Sequence, residues 1–366
     1  MDNEFEEMIE EVNELQEIRA PKRYLRNVMN PFEFYNDIEF KRRFRFHKRT
    51  VLDLILPKIE RTLAKPNQRG LPVPPVLQLL ICLRFYATGS FQIVIGDLCS
   101  LSQSTVSRVV NRVSRILALH IRHHIRMPLT QQEKATNRLR FEELGRGGNP
   151  NNPVIPSVDG AIDCTHVRLC HTKFGDHAES FRNRKNYFSL NVQAVAGPEG
   201  QFLDIVSSWA GSEHDSRIFQ NSRLYVRYVQ GEFTGCLLGD ARYSCQRILL
   251  TPLLNPVTPA DHRYNRAHKR TRCVVERMFG VWKKRFPCLS VGLRNKLENA
   301  PNIIVACAVL HNLSLEINDN LPEDDPDIMI LPYEPVPVAP PVQQPGGLAF
   351  RRELINSVFR RYDDEM

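Results

Sequence analysis

The sequence predicts an α/β fold with an all-α region on its N-terminal side, and three observations predict it. Between residues 157 and 209 three β-patterned runs follow one another, the last two joined by the tight turn Gly197-Pro198-Glu199-Gly200. Before and after these runs, apolar residues recur at helical spacing. Hydrophobic residues make up 42% of the 366, enough for a proper core in one large domain or two modest ones.

Residues 1–50 change from the acidic stretch MDNEFEEMIEEVNELQE to the basic run Lys41 to Arg49, which reads as a solvated or packing face before it reads as a nuclear signal. Residues 51–125 are expected to be helical. Leu52, Leu54, Ile55 and Ile59 fall at helical spacing, a Pro-rich turn covers Leu71 to Pro75, and an apolar run follows from Val76 to Tyr86. Ser90 to Leu98, a break at Cys99 to Leu101, and Ser102 to Val113 form a helix-turn-helix-like pattern. In that reading Gln103, Ser104 and Arg108 lie on the exposed side of the second helix and face a DNA groove; an ordinary helical hairpin remains the alternative.

Residues 126–152 are polar, end in Gly145-Arg146-Gly147-Gly148-Asn149-Pro150, and read as a linker. In residues 153–317 strands are expected at Ser157 to Asp163, Tyr187 to Ala196 and Phe202 to Trp209. A helix starts near His214-Asp215-Ser216, a short buried strand covers Cys236 to Gly239, and helices cover Thr271 to Lys284 and Ile303 to Leu315. Three hairpin-connected strands, a helix, a further strand and later helices are the order of a ribonuclease-H-like domain. Residues 318–347, dense in proline and acid, read as a mobile tail, and Leu348 to Arg361, within a terminal segment 348–366, as a short amphipathic helix that docks back or binds a partner.

The formal charge of +8 suits a phosphate-rich partner without requiring one. Nine cysteines, odd in number and never spaced as CxxC, argue against a disulfide framework or zinc ribbon and for a reducing, intracellular compartment. The acidic N-terminus lacks the order of a signal peptide, and apolar stretches such as Ile303 to Leu310 are too short to cross a membrane.

In a ribonuclease-H-like arrangement Asp163 sits on the first strand, Asp240 follows the fourth, and Glu276 projects from the long helix onto the same spot. Three carboxylates that converge repel one another unless cations intervene. Hard oxygen ligands suit Mg²⁺ or Mn²⁺, and two such ions roughly 3.5–4 Å apart activate water and stabilise a leaving oxygen at phosphorus. Taken singly, each acid has a plainer explanation: a strand-end residue for Asp163, a turn former for Asp240, an exposed pair with Arg272 or Arg277 for Glu276, and a helix N-cap for Asp215. Around Glu276 the chain is strongly basic, so Arg272, Arg277, Lys283 and Lys284 are candidate phosphate contacts, joined by Arg184 and Lys185 before the second strand. A zinc site from Cys164, His166, Cys170 and His171 is the competing metal reading, and it lacks a second arm.

Several motifs then occur in a specific order over roughly Phe44 to Leu315: Ala161-Ile162-Asp163-Cys164-Thr165-His166-Val167, Asn183-Arg184-Lys185, Trp209-Ala210-Gly211-Ser212-Glu213-His214-Asp215, Leu238-Gly239-Asp240, Thr251-Pro252-Leu253, Arg263-Tyr264-Asn265, Val275-Glu276-Arg277-Met278-Phe279-Gly280 and Ala306 to Asn312. Together they resemble the PIF/Harbinger transposase family. The resemblance implies a DDE-type nuclease acting on double-stranded DNA, with Asp163, Asp240 and Glu276 as catalytic metal ligands and Asp215 as a fourth acid. It also implies a Myb/SANT-like DNA-binding partner and a nuclear location shared with the cytoplasm. Homo-oligomerisation stays open, as does a domesticated DNA- or partner-binding protein that no longer cleaves. Arg242 departs from the family pattern, which carries glycine there, and places a cation beside the carboxylates.

Overall fold

The computed structural model describes residues 30–64, 72–170, 175–319, 321 and 342–360. The acidic N-terminal stretch and nearly all of the expected tail lie outside them. One mixed sheet holds five strands, β1 (Val158–Arg168), β2 (Ser189–Ala196), β3 (Phe202–Ala210), β4 (Cys236–Leu238) and β5 (Leu249–Leu250), in the order β3-β2-β1-β4-β5. The β1-β2 and β2-β3 pairs are antiparallel, whereas β4 runs parallel to both β1 and β5. Residues alternate across β1: Ala161 and Val167 belong to one apolar cluster, while Ile162 and Cys164 belong to another on the opposite face.

The described helices of eight residues or more, with three shorter ones that matter to the site, are α1 (Asp37–Phe44), α2 (Leu56–Leu63), α3 (Pro75–Thr88), α4 (Gln92–Leu98), α5 (Gln103–Leu119), α6 (Gln131–Arg146), α7 (Asp215–Gln220), α8 (Arg223–Val229), α9 (Pro259–Arg285), α10 (Ala300–Glu316) and α11 (Pro345–Leu354). Helices α9 and α10 cover one sheet face through Val275, Met278, Trp282 and Ile304; Ile218, Phe219, Leu224 and Tyr228 of α7 and α8 cover the other. The helical region is continuous with this core, because α5 buries Val106, Val110, Val113 and Leu117 in the cluster that holds α3, α10 and the sheet residues.

Helix α9 starts twelve residues before the expected Thr271 and is 27 residues long. Its start is locally encoded: Thr258 and Asp261 form a capping box, and Pro259 occupies the first turn, where its missing N–H costs nothing. The expected linker at 126–152 also needs correction, since α6 occupies sixteen of those residues. Thr130 and Glu133 cap it reciprocally, and Asn137, Phe141 and Gly145 are buried. Arg138 Nε meets Asp159 Oδ1 at 2.8 Å, tying α6 to β1, so the polarity of this stretch belongs only to its outer face.

The pair α4–α5 closes through a short turn in which Ser102 Oγ accepts from Thr105 N. Gly96 is required there, because an added Cβ would sit 2.5 Å from Leu101 O. At the other end of the chain, α11 and the following turn dock on α9: Phe359 packs edge-on to Tyr264 at 5.6 Å, and Arg352 meets Asp261 at 2.5 Å. All nine cysteines are free, and no described helix is long and apolar enough to cross a membrane.

Candidate metal and nucleic-acid site

Strand β4 is short and β1 is long, and the mismatch makes the site. The last β1-β4 pair is Ala161 with Leu238, so β1 continues past its neighbour while the other chain turns away at Gly239-Asp240. Asp163 lies on β1 just beyond that point. Asp215 opens α7, which begins five residues after β3 ends. The geometry brings together Asp163, Asp215 and Asp240, one carboxylate oxygen from each lying within 4.8 Å of the others.

Their surroundings differ. Asp163 is 5% exposed; its Oδ1 accepts from Cys164 N at 2.7 Å, and its Oδ2 faces Arg272 Nη1 at 3.3 Å. Burial, then the charge of Asp240, raises the Asp163 carboxyl to about 8 against the opposing pull of Arg272. Asp240 is raised by burial too, opposed mainly by the Arg242 N–H at 2.9 Å. The Arg242 guanidinium also approaches, with Nε 3.6 Å from Asp240 and Nη1 3.8 Å from Asp215. Asp215 Oδ1 accepts from Asn191 Nδ2 at 3.1 Å, whereas its buried Oδ2 makes no hydrogen bond among the described residues. Asp215 is the first helical residue rather than the N-cap, a position held by His214.

Glu276 stands apart from this trio. Its side chain is 48% exposed and accepts from Arg272 Nη2 at 2.5 Å, one helical turn away. Arg272 therefore joins Glu276 to Asp163, and the i,i+4 pair weighed from sequence is present. The trio is chemically suited to a divalent cation: three hard oxygen donors, a buried carboxylate oxygen that makes no hydrogen bond among the described residues, and mutual repulsion that a cation relieves. It is also the one group of three or more acids, histidines or cysteines that could hold a metal among the described residues. The zinc alternative is not assembled, since Cys164 Sγ sits 3.3 Å from Tyr243 OH and His166 Nδ1 3.1 Å from Ser189 Oγ; His171 lies outside the described residues.

The candidate phosphate contacts fall into two places. Arg184 and Lys185 are exposed on the connection between β1 and β2, with Arg184 Nη2 3.1 Å from the His214 ring beside Asp215. Lys283 of α9 donates to Thr165 Oγ1 at 2.7 Å and His166 O at 2.9 Å, and burial lowers its ammonium to about 8. Arg277 is exposed and Lys284 half-buried on the same helix. Gln103, Ser104 and Arg108 are exposed at the start of α5, where Arg108 Nε donates back to Ser104 O. Sequence reasoning missed Asn191, although a buried asparagine inside an apolar strand is itself a signal.

A sheet whose central strand carries an acid beside two more from the adjoining turn and helix defines a nuclease-type acidic centre, and the comparisons with known proteins agree. Residues 162–312, a span holding all four acids, match the model of the DDE superfamily endonucleases. The chain is 38% identical over 260 residues to the rat (Rattus norvegicus) protein named "Putative nuclease HARBI1", covering 70% of this chain and 71% of that one. It is 37% identical over 259 residues to the human protein of the same name, covering 69% and 71%, and 26% identical over 286 residues to "Protein ALP1-like" of Arabidopsis thaliana, covering 72% and 67%. No solved structure matches it significantly. The chain belongs to the Harbinger transposase-derived nuclease family of DDE endonucleases.

Proposed function

We propose that this chain is a metal-dependent DNA endonuclease with a ribonuclease-H-like catalytic domain. The observation that carries the reading is the convergence of Asp163, Asp215 and Asp240 within 4.8 Å around a buried carboxylate oxygen with no hydrogen bond. Mg²⁺ or Mn²⁺ held by these acids would neutralise them and polarise phosphate and water, the chemistry that two-metal phosphodiester hydrolysis uses. Glu276 completes the acid set once Arg272 releases it. Arg184, Lys185, Arg272, Arg277, Lys283 and Lys284 take backbone phosphates on either side of the cut. The α4–α5 pair acts as a helix-turn-helix-like unit offering Gln103, Ser104 and Arg108 to the duplex. A Myb/SANT-like partner, a nuclear and partly cytoplasmic location and homo-oligomerisation belong to the same proposal.

The test is nicking of supercoiled plasmid by purified protein in Mn²⁺, with and without a candidate partner. Asp163→Ala, Asp240→Ala and Glu276→Gln should each abolish nicking; cleavage that survives them sinks the assignment. One observation favours a second reading, a DNA-binding protein without cleavage: Arg242 and Arg272 place two guanidiniums against the trio. Duplex binding with no nicking under any divalent cation, partner included, would select it.

A further inference from the structure

Asp240 follows the least supported part of the sheet. Strand β4 is three residues long, and β5, with which it shares two pairs, is two residues long and has no strand on its far side among the described residues. Strands this short supply few ladder hydrogen bonds, and the chain from Asp240 to Gln246 lies outside both of them. The turn that carries Asp240 is therefore held by contacts from outside the sheet.

Two partners hold it. The first is Ser216, the neighbour of Asp215 on α7, whose hydroxyl accepts from Ser244 N at 3.0 Å and donates to Arg242 O at 2.9 Å. The second is the C-terminal segment. Ser244 Oγ donates to Val342 O at 2.6 Å. Cys245 is fully buried, its N–H finds no backbone acceptor among the described residues, and it donates instead to Gln343 Oε1 at 2.9 Å. Gly347 packs so closely on this stretch that an added Cβ would overlap the backbone of Cys245 and Gln246. Arg351 of α11 closes on the other end of β5, its Nη1 donating to Thr251 O, Thr251 Oγ1 and Pro252 O at 3.0 Å each. The segment has its own anchor away from the turn: Ile355 and Phe359 are buried in the main core, and Arg352 pairs with Asp261.

We propose that residues 342–351 form a strap that fixes the Asp240 turn against α7, with Gln343 and Gly347 as its positioning residues, so that the spacing of Asp240 from Asp215, and with it the cation affinity of the trio, is set by the C-terminal segment. That the trio takes a cation rests on the reading above; the hold of the strap on the turn does not. Ions of the Mg²⁺ class need their oxygen ligands close to ideal octahedral positions, so a small drift of the turn costs affinity. Gln343 meets neither metal nor substrate on this view and acts through Cys245.

The test uses the full chain and two measurements, neither of which needs cleavage. The first is hydrogen exchange in EDTA, read by mass spectrometry on a peptide spanning residues 240–248. Gln343→Ala should exchange there about tenfold or more faster than wild type, because the buried Cys245 amide loses its acceptor. Gln343→Glu, which keeps an oxygen at the same reach, should exchange like wild type. The second is calorimetry, in which Gln343→Ala should bind Mn²⁺ about fivefold more weakly, the order of one hydrogen bond. Gly347→Ala, which lifts the strap from Cys245, should show both changes. Thr130→Ala removes the cap of α6 and should lower Tm while leaving exchange at 240–248 and Mn²⁺ affinity as they are, which separates positioning from a general loss of stability. Exchange unchanged in Gln343→Ala overturns the proposal. So does faster exchange with full Mn²⁺ affinity, or an affinity that falls as much in Thr130→Ala. Wild type that binds no Mn²⁺ would sink the metal reading, and the exchange of Gln343→Ala against wild type would then decide the strap by itself.

Discussion

Replacing Asp240 by asparagine tests the electrostatics of the acidic trio with little change of shape, because the amide oxygen can still accept from Arg242 N at 2.9 Å. The carboxylate oxygens of Asp163, Asp215 and Asp240 lie within 4.8 Å of one another. At an effective dielectric constant of about 20, two unit charges at that separation repel by about 3 kcal/mol. The substitution also gives up the Arg242 Nε contact at 3.6 Å, worth up to about 1 kcal/mol. The metal-free protein at about pH 8 should therefore gain about 1–2 kcal/mol, or roughly 2 °C in Tm for a chain of this length. The direction with pH follows from Asp163, whose carboxyl rises from 3.8 to about 8 through burial and the charge of Asp240. The folded state keeps a proton that the unfolded chain has lost, so this stabilisation is complete below about pH 4 and disappears as pH climbs to about 8. Differential scanning fluorimetry in EDTA across that window should show Tm falling in wild type and falling less in Asp240→Asn. Mn²⁺ should raise the wild-type Tm at the alkaline end and do little for the variant. A metal-free Asp240→Asn no more stable than wild type at about pH 8 would refute the mutual repulsion on which the cation site rests.

Three further outcomes are expected. Arg272→Gln removes the guanidinium that touches both Asp163 and Glu276, so Mn²⁺ should bind about fivefold more tightly by calorimetry, the equivalent of about 1 kcal/mol; unchanged affinity would mean that Arg272 does not compete for the acids. Lys283→Met should weaken duplex binding for all sequences alike and lower the salt slope by about one, whereas a sequence-dependent loss would contradict a backbone contact. Gly211→Ala would place a Cβ 2.4 Å from Ser189 Oγ and 2.6 Å from Phe181 O, and thermal denaturation should register a loss of about 1–3 kcal/mol; a neutral substitution would show that β2 yields there more easily than its buried setting suggests.

The parts of this molecule that were legible in the sequence are those with local signals. The hairpin turn at Gly197 to Gly200 and the β-patterned runs on either side of it locate β2 and β3 to within two residues, and the apolar run at Cys236 locates β4. Helix α6 escaped because its pattern is weak: three buried residues in sixteen leave a stretch that looks polar throughout, although Thr130-x-x-Glu133 was a capping signature in plain view. The front half of α9 escaped for the same reason, its Thr258-Pro259-Ala260-Asp261 start outweighed by a run of charges. Strand β5, two residues long, carries no periodicity at all.

The site divides along a different line. That Asp163 and Asp240 meet follows from topology, because parallel pairing of β1 with β4 ends at Ala161 and Leu238 and leaves each acid two residues beyond that pair. What the acids meet besides each other does not, since Arg242 and Arg272 reach them through long side chains whose direction no spacing rule sets. Glu276 shows the consequence. Residues 272 and 276 share one face of α9, and Arg272 meets Asp163 through Nη1 and Glu276 through Nη2. One guanidinium thus pairs with the acid on β1 and with the acid one turn along its own helix, and removing it releases both carboxylates together.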